Sequence, residues 1–179
     1  MSNIDNQQLR AFAAQYGTIV GLMWIVSFSF FIIGLTQPLL GNLSMLFGLL
    51  SIYVTISLVR KFRRDITPLN FWQAWRMSSL IYSYAALLMA VAQFIYFRYI
   101  DDGLLISTYI ETMNKPEVIT MMQSMMPGED LKAVSQQAVD MLKSITPIQL
   151  TIELLIYNLF LGVLLTIPTA GFSSVGRKR

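Results

Sequence analysis

The chain has 179 residues, of which 55% are hydrophobic and only 13% charged, whereas an average soluble domain carries about 25% charged residues. With a mean hydropathy of +0.56 this composition points to lipid and excludes intrinsic disorder, which needs low hydrophobicity and high net charge. Histidine and cysteine are absent, which excludes disulfides, thiolate and imidazole metal sites and every catalytic triad that runs through His or Cys.

Four stretches are long and apolar enough to cross a bilayer core of about 30 Å as helices. The first is 16–35, uncharged. Its apolar run is too long for the core of a cleavable signal peptide, and no small-residue cleavage site follows. Ala13, Gly17 and Gly21 recur along it at four-residue spacing, a small face that lets helices approach closely. The second span is 39–59, also uncharged. Only Thr36, Gln37 and Pro38 join the two, and proline cannot continue a helix, so the pair is expected to form a tight antiparallel hairpin.

A basic loop follows, RKFRRDITPLNFWQAWRM from Arg60. Arg60, Lys61, Arg63, Arg64 and Arg76 are candidate contacts for anionic lipid headgroups or a polyprenyl phosphate, because arginine forks suit phosphate geometry. The competing reading is a topology anchor, with Phe62, Phe71, Trp72 and Trp75 in the interfacial layer. Asn70 and Gln73 have the spacing of a capping box that starts the third helix.

The third span, 77–97, carries Ser79, Ser83, Ala86, Ala90 and Gln93 on one stripe. Residues 101–146 then form an outer insertion. Asp101-Asp102 could begin a divalent-ion site, but two adjacent acids after a span are a weak signal for one. Apolar residues recur at helical spacing on either side of Pro127-Gly128, so two amphipathic helices are expected there. Met121, Met122, Met125 and Met126 resemble a soft copper(I) ligand set, but flexible apolar filler is the reading preferred. The sequence offers no metal site and no cofactor motif.

The fourth span, 148–167, contains the chain's one intramembrane acid, Glu153. Gln149 and Tyr157 lie four residues on either side of it, on the same helical face. Glu153 lies about 9 Å in from the outer boundary. Arg98 ends the third span on that side of the membrane, and Gln93 lies within the span at a depth similar to that of Glu153, so a polar cluster of Glu153, Gln149, Tyr157, Arg98 and Gln93 is expected. Three readings stand: an interhelical clamp, a proton or cation site, or a side chain that snorkels to the surface. The second face of this span holds Thr151, Asn158, Gly162 and Thr166 and is read as packing.

Orientation follows from the loop charges. The termini and the basic loop hold nine Lys and Arg against two acids, a net of +7, and the outer insertion holds three against seven, a net of −4. Both termini are therefore expected in the cytoplasm of a multi-pass inner-membrane protein. The basic pI of 9.3 reflects that split and does not point to nucleic acid.

KFRRD, NFWQAW, the IDDG after the third span and the long outer insertion together resemble the domain-of-unknown-function 4199 family of small bacterial membrane proteins, typical of Bacteroidetes. The resemblance implies four spans around a basic loop and brings no catalytic residue. It also implies a place beside family-2 glycosyltransferases and polyprenyl-phosphate sugar chemistry. The fold expected is an all-α, four-span bundle in one membrane domain, 1–179. The function expected is a non-enzymatic subunit or scaffold that docks a membrane partner, such as a glycosyltransferase. The alternative is a lipid, polyprenyl-phosphate or small-solute translocator acting as a homo-oligomer.

Overall fold

The computed structural model describes residues 6–125 and 131–174, with the backbone alone for 131–135. Pro127-Gly128, Met126, Asp5, Glu129, Asp130 and the cations Arg177, Lys178 and Arg179 lie outside the described residues. The described chain is all helix: α1 (Asn6–Thr36), α2 (Pro38–Asp65), α3 (Phe71–Tyr99), α4 (Leu104–Met113), α5 (Pro116–Met125), α6 (Leu131–Ser144) and α7 (Pro147–Ser174). Four of these, α1, α2, α3 and α7, are long and apolar enough to cross a membrane. Lipid offers the backbone no hydrogen-bond partner, so each must satisfy itself as a continuous helix. At 28 to 31 residues they run about 42 to 46 Å, longer than the roughly 30 Å hydrocarbon core.

Two compact units appear, one from Met1–Gln93 with Ile152–Arg179 and one from Phe94–Thr151. In the first, α1 and α2 form the expected hairpin. Its turn is tighter than the three-residue connection suggests, because Gln37 is the one residue between the helices. Pro38 takes the first position of α2, where its missing N–H costs nothing. Beside the turn, a Cβ built on Gly34 would collide with the backbone of Gly41. The small face of α1 packs on α3 as its spacing predicts: a Cβ on Gly17 would fall 2.6 Å from Tyr84 Cβ and 2.9 Å from the Ile81 carbonyl oxygen. Gly162 gives α7 the same close approach to Tyr82 of α3. The core between them is built by Val20, Val59, Phe62, Met77, Ile81, Tyr82 and Ala85, all buried.

The capping box at the start of α3 is present. Asn70 Oδ1 accepts from the Gln73 N–H at 2.9 Å, and Gln73 Oε1 accepts from the Asn70 N–H at 3.0 Å.

The second unit holds three short helices where two were expected. The extra one, α4, follows Asp102 and Gly103, both in the left-handed region at φ 43° and 80°. That conformation suits glycine and is tolerated by aspartate. Asp101 Oδ1 accepts from the Leu105 N–H at 3.3 Å. The acidic pair thus starts a helix. No residue of α4 or α5 is buried, and Met121 and Met125 are exposed.

Candidate functional site

The sequence-predicted cluster around Glu153 divides between two faces and several roles. Glu153, Gln149 and Tyr157 do share one face of α7, and all three are exposed. Ile152, Ile156 and Phe160 flank them, also exposed. Glu153 therefore stands on the outside of the four long helices, within an apolar surface. Gln149 serves its own helix locally. Its Oε1 accepts from the Thr146 N–H at 2.9 Å and from the Thr146 hydroxyl at 2.8 Å. The Gln149 N–H reaches back to Thr146 Oγ1 at 3.4 Å, so the pair caps the start of α7. The T-x-x-Q spacing carries that signal in the sequence. Arg98 is exposed, its guanidinium 6.0 Å from the Tyr99 ring centroid. Gln93 points the other way, into the bundle, and is 3% exposed.

An interhelical polar clamp does exist, on other residues. Trp24 Nε1 of α1 donates to Ser51 Oγ of α2 at 3.0 Å, and Ser51 Oγ donates to the Gly48 carbonyl at 2.6 Å. The Trp24 ring stacks on Tyr82 of α3, 6.0 Å between centroids. The Tyr82 hydroxyl is hydrogen-bonded to Thr169 of α7 at 3.0 Å, and Thr55 of α2 donates to the Ser51 carbonyl at 2.8 Å. Ser51, Thr55, Tyr82 and Thr169 are buried. One connected set of uncharged groups thus ties all four long helices together. Its sequence signal is the four-residue spacing of Ser51 with Thr55 and of Thr169 with Ser173, hydroxyls that also bond their own helix backbone.

The basic loop is partly consumed by the fold. Arg60 donates through Nε and Nη2 to the Phe172 carbonyl at 3.1 and 2.9 Å, and Arg63 donates to the Ser173 carbonyl at 2.9 Å. These carbonyls lie in the last turn of α7 among the described residues, where carbonyls commonly need partners from outside the helix. Two cations there also complement the negative end of the helix dipole. Arg76 donates to Asn6 Oδ1 at 3.1 Å. Arg64 pairs with Asp65 at 2.7 Å on the surface, and Lys61 is exposed. Lys61 lines a small hollow with Gln15, Tyr16 and Asp65, where the carboxylate disfavours a bound anion.

Between the middle of the bundle and the α1–α2 turn lies a cavity of about 250 Å³. Trp24, Phe28, Met89 and Leu161 supply apolar wall, and Ser27, Ser44, Gln93 and Asn158 supply polar groups. The Ser27 hydroxyl already donates to the Ser44 carbonyl at 2.8 Å. Gln93 Oε1 and Asn158 Nδ2 are buried without a hydrogen-bond partner among the described residues. Asn158 belongs to the face of α7 opposite Glu153, which the sequence assigns to packing alone.

The family described as protein of unknown function (DUF4199) matches residues 15–174. The chain belongs to this family. The match takes in the basic loop, IDDG, the insertion, α2, α3, α7 and α1 from residue 15 onward, the parts that carry the resemblance. The family description assigns no activity, so it gives no role to the clamp, the cavity or Glu153. No curated protein and no solved structure matches the chain.

Proposed function

We propose that this family member is a non-catalytic membrane subunit that docks a membrane partner through the outward face of α7, with Glu153 as the polar anchor. One observation carries the reading: Glu153 is exposed on an apolar face. A charged side chain costs about 3 kcal/mol at the centre of a membrane helix and less towards its ends. Inside the bundle a neighbouring helix would offset that cost. On the outside, the compensating group must come from another molecule. The partner that fits is a transmembrane helix with a Lys, Arg or amide side chain at the depth of Glu153. A glycosyltransferase is the partner class that the family-level expectation favours. The translocator alternative draws less support, since the buried clamp is uncharged and Arg60 and Arg63 are engaged by α7 carbonyls. Contact with anionic headgroups then falls mainly to Lys61 and Arg64.

Native mass spectrometry of the protein extracted from its own membranes in mild detergent tests the reading. A stoichiometric second membrane protein is expected, lost in Glu153→Leu and partly kept in Glu153→Gln, whose amide still forms hydrogen bonds. Helix content should be unchanged in both, because the residue is exposed. A wild-type protein that arrives as a monomer, or a homo-oligomer indifferent to Glu153→Leu, would overturn the proposal.

We also propose the inner membrane, with both termini cytoplasmic, on the strength of the loop charges. The chain has no cysteine, so single-cysteine variants report cleanly. A membrane-impermeant maleimide added to intact spheroplasts should label Ser107→Cys in the insertion and spare Gln73→Cys until the cells are opened. The reverse pattern would invert the topology.

A further inference from the structure

We propose that the cavity beside Gln93 and Asn158 binds an uncharged amphiphile, one whose hydroxyl or amide group enters sideways from the bilayer. The two unpartnered amide atoms argue for a ligand. A buried polar group without a hydrogen bond is costly, and more so where no bulk water is at hand. Gln93 Oε1 offers an acceptor and Asn158 Nδ2 a donor, and a hydroxyl, which both donates and accepts, is the complement of either. Among the described residues no Asp, Glu, Lys or Arg lines the cavity, so a charged headgroup would enter without a counter-charge. Two lining residues, Phe31 and Leu161, are 45% and 47% exposed. They lie on membrane helices, so the cavity's rim faces the lipid. An apolar rim with an uncharged polar floor matches a lipid chain that ends in a hydroxyl or amide. The proposal is independent of the docking face, since Glu153 is exposed on the other side of α7.

Gly48 gives the test a clean blocking variant. It lines the cavity, and a Cβ built on it meets no atom within 4 Å. Gly48→Leu should therefore fill the cavity without forcing the helices apart. The experiment is photolabelling of the full-length protein in lipid nanodiscs. The probes are a long-chain alcohol with a diazirine near its hydroxyl and the matching hydrocarbon without the hydroxyl. The alcohol should label peptides carrying Phe28, Phe31 or Met89 about tenfold more than the hydrocarbon does, the ratio expected of one to two hydrogen bonds. Gly48→Leu should remove that labelling, and Gln93→Leu should bring the ratio close to one. As a second readout, in a Trp72→Phe, Trp75→Phe background a brominated long-chain alcohol should quench Trp24, the remaining tryptophan. Equal labelling by alcohol and hydrocarbon, which a cavity filled by water alone would give, overturns the proposal. So does alcohol labelling that survives Gly48→Leu.

Discussion

Tyr82→Ala is expected to lower the stability of the protein by about 3 to 5 kcal/mol, read as an earlier midpoint when SDS is titrated into mixed micelles. Tyr82 is the largest of the fully buried side chains. It packs beneath the Trp24 ring, against Gly162 of α7, and holds Thr169 through its hydroxyl. Truncation would leave a cavity at the junction of all four long helices and remove the hydrogen bond to Thr169. Tyr82→Phe keeps the ring and loses only the hydroxyl, so it should cost about 1 kcal/mol, the usual size of an interhelical hydrogen bond in a membrane. A Tyr82→Ala loss no greater than that of Tyr82→Phe would mean that ring packing contributes little. The clamp would then be misassigned as the centre of the fold.

Gly17→Leu should destabilise by about 3 kcal/mol in the same titration, the upper end of ordinary overpacking. The first added carbon already falls within 2.6 Å of Tyr84 Cβ and 2.9 Å of the Ile81 carbonyl. The backbone of α3 is not the far end of a flexible side chain, so α1 itself must move away. Gly171 is the control. A Cβ there meets nothing within 4 Å, and Gly171→Ala should be neutral or slightly stabilising, since alanine is the better helix former. Equal behaviour of the two glycines would contradict the close crossing of α1 on α3.

The features legible in the sequence are those with a local period. Span number, the proline hairpin, the Asn70–Gln73 box and the small face of Gly17 and Gly21 need only residues a few positions apart. Which way each span faces is harder to read. In a membrane the outside of a helix is as apolar as the inside, so hydropathy loses the contrast that marks the core of a soluble protein. α7 illustrates this. It carries Glu153 on one face and Asn158, Gly162 and Thr166 on another. The default that an intramembrane acid looks inward selects the Glu153 face, yet the Asn158 face is the one that packs on Tyr82 and lines the cavity. The grip of Arg60 and Arg63 on the end of α7 joins residues more than a hundred positions apart, and no local spacing signals it. α4 is hidden for a different reason: LLISTYIETM is largely apolar and rich in β-branched residues, without the alternation of an amphipathic helix.

Site-specific crosslinking in native membranes tests the docking claim most directly. A photoreactive amino acid replaces Tyr157, one turn from Glu153 on the exposed face of α7, and in separate variants Leu46 of α2 and Leu87 of α3, also outward. The subunit reading predicts one discrete heterologous adduct at Tyr157. The adduct should vanish when Glu153→Leu is added, and the two control positions should give none. Lipid adducts alone at Tyr157, or the same protein adduct at all three positions with no dependence on Glu153, would contradict it.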